Sequence, residues 1–196
     1  MRPKIILILF GLTVAAQLFV PASMIFSSER VLSKGKTFRF RTAPIDPYDA
    51  FRGKFVALDF TASRTVAPAD PQFETGTLLN SRPVKMFALI GEDDSGFARI
   101  NELLFTRPDS GYFVKVTVNR WSGRTTRVQF PFSKFFLEEG TAQQAEALYR
   151  KHNRRGKQNS FAIVNIDRSG HAVLADLVLG GVPVSEALRQ SSQSRQ

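Results

Sequence analysis

The chain has 196 residues, no Cys, 18 Phe against one Trp and three Tyr, and a formal net charge of +10. Without cysteine there is no disulfide framework, thiolate metal site or cysteine nucleophile, while positive charge of this size suits an anionic partner, either nucleic acid or a lipid surface. Beyond an N-terminal hydrophobic segment there is room for one domain of about 160 residues, enough for a real core.

Ile5 to Phe26 is a run of 22 residues without a charge, and as a helix it would extend about 33 Å, enough to cross the hydrocarbon of a bilayer. Arg2 and Lys4 precede it, the layout of either a signal peptide or a retained anchor. Val20-Pro21-Ala22 makes a poor cleavage site and the run exceeds a usual signal core, so residues 1–27 read as an anchor. The basic residues just after the run outnumber the two before it, so charge alone does not orient the span. Residues 28–36 read as a polar linker, 37–186 as the folded domain and 187–196 as a polar tail.

Thr37 to Arg41 alternates Phe38 and Phe40 with charged neighbours, the period of a strand. Then Asp46, Pro47 and Asp49 form a helix-start pattern, with an acid to cap free amides and a proline preset for the first helical position. This predicts a short helix over Pro47 to Arg52, ended by Gly53 in a left-handed conformation. From Phe55 the chain alternates again, with Val56, Leu58 and Phe60 on one face. Thr61 to Leu79, broken by Pro68, Pro71 and Gly76, reads as a loop.

From residue 84 the pattern is serial hairpins. Val84–Ile90 and Phe97–Leu104 flank Asp93-Asp94-Ser95-Gly96, and Tyr112–Asn119 turns through Ser122-Gly123 into Thr125–Phe130. Phe161–Ile166 and His171–Leu177 flank Asp167-Arg168-Ser169-Gly170. The repeated D-S-G and R-S-G endings are turn chemistry, with glycine supplying positive φ. Thr141 and Gln144 form a capping box for one amphipathic helix running to His152. Eight or nine strands with one helix in a late connection predict a mostly antiparallel β fold, a barrel or sandwich, with a small barrel preferred.

The segment R-G-K-F-V-A-L-D-F, preceded by P-I-D-P-Y-D-A-F, resembles the signature of the GDYXXLXY family of bacterial membrane-anchored proteins. Gly53 and Leu58 match the motif, Phe55 and Phe60 keep its rings without the hydroxyls, and Lys54 replaces its Asp. Asp46, Pro47 and Arg52 complete the segment. The likeness continues through K-M-F-A-L-I-G-E-D-D-S-G-F and F-A-I-V-N-I-D-R-S-G-H-A-V-L-A-D-L. It implies an inner-membrane, single-pass protein with a periplasmic β domain, and a multi-pass membrane protein as partner. It supplies no chemistry.

Other constellations offer little chemistry of their own. Arg150, Lys151, Arg154, Arg155 and Lys157 cluster after the predicted helix; they suit a solvated loop first and anionic lipid headgroups second. Nucleic acid is not expected, since no aromatic stacking pattern accompanies the run. His152 and His171 lack zinc-site spacing, and the acids at 93–94 and 138–139 fit turns and loops, so no metal or cofactor is expected. Ser23-Met24 at the end of the span, followed by Pro83-Val84-Lys85-Met86, is similar to the order of serine and lysine motifs in signal peptidases. Ile25-Phe26 stands where that family has Pro-Thr, and its later Asp- and Ser-rich box is absent. The expected function is therefore a non-catalytic envelope module that accompanies another membrane protein. The alternative is an envelope hydrolase or small-ligand domain with a degenerate peptidase-like site.

Overall fold

The computed structural model describes residues 3–43, 55–66, 83–122, 125–136, 159–184 and 186. Helix α1 runs from Pro3 to Lys34, 32 residues with Pro21 inside it. The residues read as a linker are its last turns, because Ser27 to Lys34 contains no Gly or Pro to stop a helix and puts Val31 into the protein interior at 1% exposure. Gly35 stops it. Its N–H donates to Val31 O at 2.9 Å, and an added Cβ there would lie 2.5 Å from that same oxygen and 3.2 Å from the backbone of Ile166. One residue therefore separates α1 from the first strand.

The strands are β1 (Lys36–Ala43), β2 (Phe55–Ala57), β3 (Asp59–Phe60), β4 (Arg64–Val66), β5 (Val84–Glu92), β6 (Ala98–Leu104), β7 (Tyr112–Ser122), β8 (Thr125–Gln129), β9 (Lys134–Phe136), β10 (Ser160–Ile166), β11 (Ala172–Leu179) and β12 (Val182–Pro183). They form two five-stranded antiparallel sheets, β12-β11-β10-β1-β3 and β4-β8-β7-β5-β6, with β2 and β9 as a separate ribbon. The fold is thus mostly antiparallel β around one shared core, the barrel or sandwich expected. A one-turn 3-10 helix, Thr61–Ser63, carries the chain from β3 at the edge of one sheet to β4 at the edge of the other.

Phenylalanine fills the core. Phe40 is fully buried, with edge-on contacts to Phe60, Phe130 and Phe132 at ring-centroid distances of 5.6, 5.3 and 5.1 Å. Such geometries set the positive edge of one ring against the negative face of the next. Met86, Ala88, Ile90, Val114, Val116 and Val118 close the core from the second sheet, each on the inward face of its strand.

Two local readings change. The strand expected across Phe55 to Phe60 divides at Leu58, where the partner switches from β9 to β1. Thr61 to Val66, expected as loop, is a 3-10 turn and a strand, since β4 borrows its ladder from β8. The short helix at 47–52 with Gly53, and the amphipathic helix at 141–152, lie outside the described residues.

Candidate functional site

Of the signature positions, three are described. Leu58 and Phe60 are buried at 5% and 2% exposure, and Leu58 N–H donates to Ser133 O at 2.8 Å. Phe55 is half-buried on the β2–β9 ribbon, 5.8 Å from Phe136, with Lys134 Nζ 4.9 Å above its ring. Asp59 pairs with Arg127. These residues serve packing and the switch between strands; Asp46, Pro47, Arg52 and Gly53 lie outside the described residues, as do Arg150, Lys151, Arg154, Arg155 and Lys157.

The chemically varied surface lies elsewhere, at the junction of α1 with the β domain. A cleft of about 680 Å³ opens there between the helix and the outer face of β5 and β7. The helix wall presents Ser23 and, about one turn on, the adjacent Ser27 and Ser28, with Met24 and Val31 on the same wall. The sheet wall presents Lys85, Lys115 and Thr117. The turn before β11 closes the end with His171.

Strand register explains the sheet wall. Lys85 pairs with Thr117 and Phe87 pairs with Lys115. The odd-numbered residues from Lys85 to Leu89 and from Phe113 to Thr117 therefore share the outer face while Met86, Val114, Val116 and Val118 fill the core. Lys85 and Lys115 are diagonal neighbours, a relation that places Cβ atoms roughly 7–8 Å apart. Neither has an ion-pair partner among the described residues, and none of the described residues lining the cleft is acidic.

The helix wall is fixed by a polar brace. Asn165, 8% exposed, donates from Nδ2 to Leu32 O at 2.8 Å and accepts from Thr37 Oγ1 at 3.0 Å. One amide side chain thus ties the end of α1 to β10 and to the start of β1. Ser23 Oγ donates to Val20 O at 2.7 Å, within its own helix.

Asp167 shapes the turn that brings in His171. Its Oδ1 accepts from Ser169 N at 2.8 Å and His171 N at 2.9 Å, and Ser169 Oγ donates to it at 2.7 Å. Burial opposes ionisation of Asp167, yet these bonds and the nearby His171 outweigh it and hold the carboxyl below its ordinary value. Asp93 makes the same turn between β5 and β6, accepting from Ser95 N and Phe97 N, both at 2.9 Å. The acids of both glycine-ended turns are thereby committed to backbone. Among the described residues no group of three or more His, Asp or Glu could hold a metal.

Ser23 and Lys85 were singled out in the sequence, and the fold brings them to one cleft. Lys115, Thr117, Ser27 and Ser28 were not. Alternation marks Lys115 as outward-facing, but only the β5–β7 register shows that it neighbours Lys85.

The arrangement defines a class: an antiparallel β domain carried, with one intervening glycine, on a helix long and apolar enough to cross a membrane. The family model for the GDYXXLXY protein matches residues 17–177, and the chain belongs to that family. The matched span runs from within α1 to within β11 and contains every described residue of the cleft. No curated protein and no solved structure matches the chain.

Proposed function

We propose that the protein is a non-catalytic module of the bacterial cell envelope, held in the inner membrane by α1 with its β domain on the periplasmic side, and accessory to a multi-pass membrane protein. The observation that carries this reading is the contrast along α1. Phe10, Phe19 and Phe26 stand 68%, 72% and 74% exposed, and the helix meets the β domain only near its end, where Val31 is buried. Apolar surface of that extent has to be covered, and a bilayer or a neighbouring span covers it. The brace through Asn165 fixes the domain to the helix, which suits a part that must hold an orientation toward a partner. The basic run from Arg150 to Lys157 offers a further contact to anionic headgroups.

Purification of the full chain in mild detergent should bring the partner with it. A variant whose Leu7–Val20 segment is replaced by polyleucine should stay in membranes at high salt and lose that partner. Release of the natural chain by high salt, with no partner recovered, counts against the reading.

A second reading, an envelope hydrolase or small-ligand domain, draws on the shared cleft of Ser23 and Lys85. There an uncharged Lys85 would take the Ser23 proton as nucleophilic attack begins. It predicts labelling by a serine-reactive phosphonate that Ser23→Ala and Lys85→Met both abolish. An unlabelled serine leaves the cleft to binding alone.

A further inference from the structure

We infer that the cleft at the helix–domain junction is a binding site for the phosphate of an anionic phospholipid, drawn from the bilayer that α1 spans; this rests on the anchored reading above. Depth along the helix comes first. The stretch of α1 read as the span ends at Phe26, its last apolar residue before Ser27, Ser28 and Glu29, and the helix wall of the cleft begins at Ser23 and ends at Val31. At 1.5 Å per residue Ser23 lies about 5 Å inside the end of the run and Val31 about 8 Å beyond it. When the run fills the hydrocarbon layer, the cleft opens at the depth of lipid phosphates.

Its chemistry fits that depth. Lys85 and Lys115 converge on it as diagonal neighbours with no ion-pair partner among the described residues, and His171 flanks them. Ser27, Ser28 and Thr117 add hydroxyls that donate to phosphate oxygens. Below them Met24, 66% exposed, lines the cleft, and Val20, 58% exposed and one turn earlier on the same helix face, continues the apolar surface along which acyl chains would pack. A cationic end joined to an apolar track is the shape of a lipid, and a free anion would use only half of it. The volume, about 680 Å³, admits a headgroup.

Two features could repel an anion. The C-terminal carbonyls of α1 carry the negative end of the helix dipole, but Val31 O and Leu32 O accept from Gly35 N and Asn165 Nδ2. The carboxylate of Asp167 lies 3.9 Å from His171 Nδ1, and it is turned into its own loop by bonds from Ser169 and His171. The two lysines therefore set the sign of the site.

The test must separate this site from the general attraction of a chain of charge +10 for anionic surfaces. The full chain in neutral detergent is titrated with phosphatidylglycerol or phosphatidylcholine and bound lipid is counted by native mass spectrometry. One phosphatidylglycerol should be retained about thirtyfold more tightly than phosphatidylcholine, the advantage that two basic groups near a lipid phosphate confer. The double variant Lys85→Gln, Lys115→Gln should lose that preference. Arg64→Gln, Arg99→Gln, which removes equal charge from exposed positions on β4 and β6, should keep it. Equal loss in both double variants, or no preference in the natural chain, overturns the inference. Displacement of the lipid by millimolar inorganic phosphate overturns it too, because the site would then read a free anion. Flotation with phosphatidylcholine vesicles distinguishes the two readings: a chain that floats but shows no headgroup preference keeps its anchor and loses this site, and one that does not float loses both.

Discussion

Asp167 shows how one side chain sets a turn and, through it, the position of a neighbour. Its carboxyl is held below the ordinary value because the bonds it accepts outweigh the cost of its burial. A lowered folded-state value means stability that is present above the unfolded pKa of about 4 and is lost as pH falls through the folded one. Ser169→Ala removes the hydroxyl donor, so the Asp167 carboxyl should titrate at higher pH in a carbon-detected NMR titration. The melting temperature of the variant should fall below the natural chain's near pH 7, and the gap should narrow below about pH 4. A gap that stays constant down to low pH would show that the bond does not act through the charge. At this scale the sequence was highly legible. Gly96 and Gly170 take φ of 72° and 91°, as their turns required. The partners of Lys115 were not legible, because a residue's outward direction follows from alternation while its neighbours follow from register.

Leu58 marks the limit of pattern reading for elements. Alternation from Phe55 to Phe60 is real and Leu58 and Phe60 are buried by it, yet the chain changes partner between them. A switch of that kind preserves side-chain period and so leaves no trace in the sequence. Leu58→Ala should cost about 2–4 kcal/mol in denaturant unfolding of the detergent-solubilised chain, through the cavity left beside the aromatic cluster; a loss under about 1 kcal/mol would mean the corner can collapse around the smaller side chain. β4, β9 and β12, of three, three and two residues, were missed for a related reason. Strands that short have no period of their own and exist because a neighbour supplies the ladder. The end of α1 was also placed early. Polar residues after Phe26 suggested a linker, but helix propensity does not require apolar side chains, and the brace at Asn165 lies 133 residues from Leu32 in sequence.

Over the whole molecule, the apolar helix, the antiparallel core and the family could all be read from residues, because each rests on composition, period or motif. Function could not. The signature segment is built for burial at Leu58 and Phe60, and the cleft is assembled from α1, β5, β7, the turn after β8 and the start of β11 with the turn before it, places whose meeting no local pattern encodes.

The register of β1 with β10 sets an order of events for a growing chain. Phe38 faces Val164 and Arg41 faces Phe161 across that pair, so the first strand after α1 waits for nearly the last to be made. Contacts of such high sequence separation slow folding, because a long loop must close before they contribute. Until residue 166 has emerged, β1 is held beside α1 with a bare ladder edge, an invitation to wrong pairing. Released chains truncated after residue 158 should leave Lys36–Ala43 open to protease, and chains that extend beyond residue 186 should protect it. Equal protection of both would mean that β1 finds another partner while it waits, and that the β10 strand enters a sheet already formed.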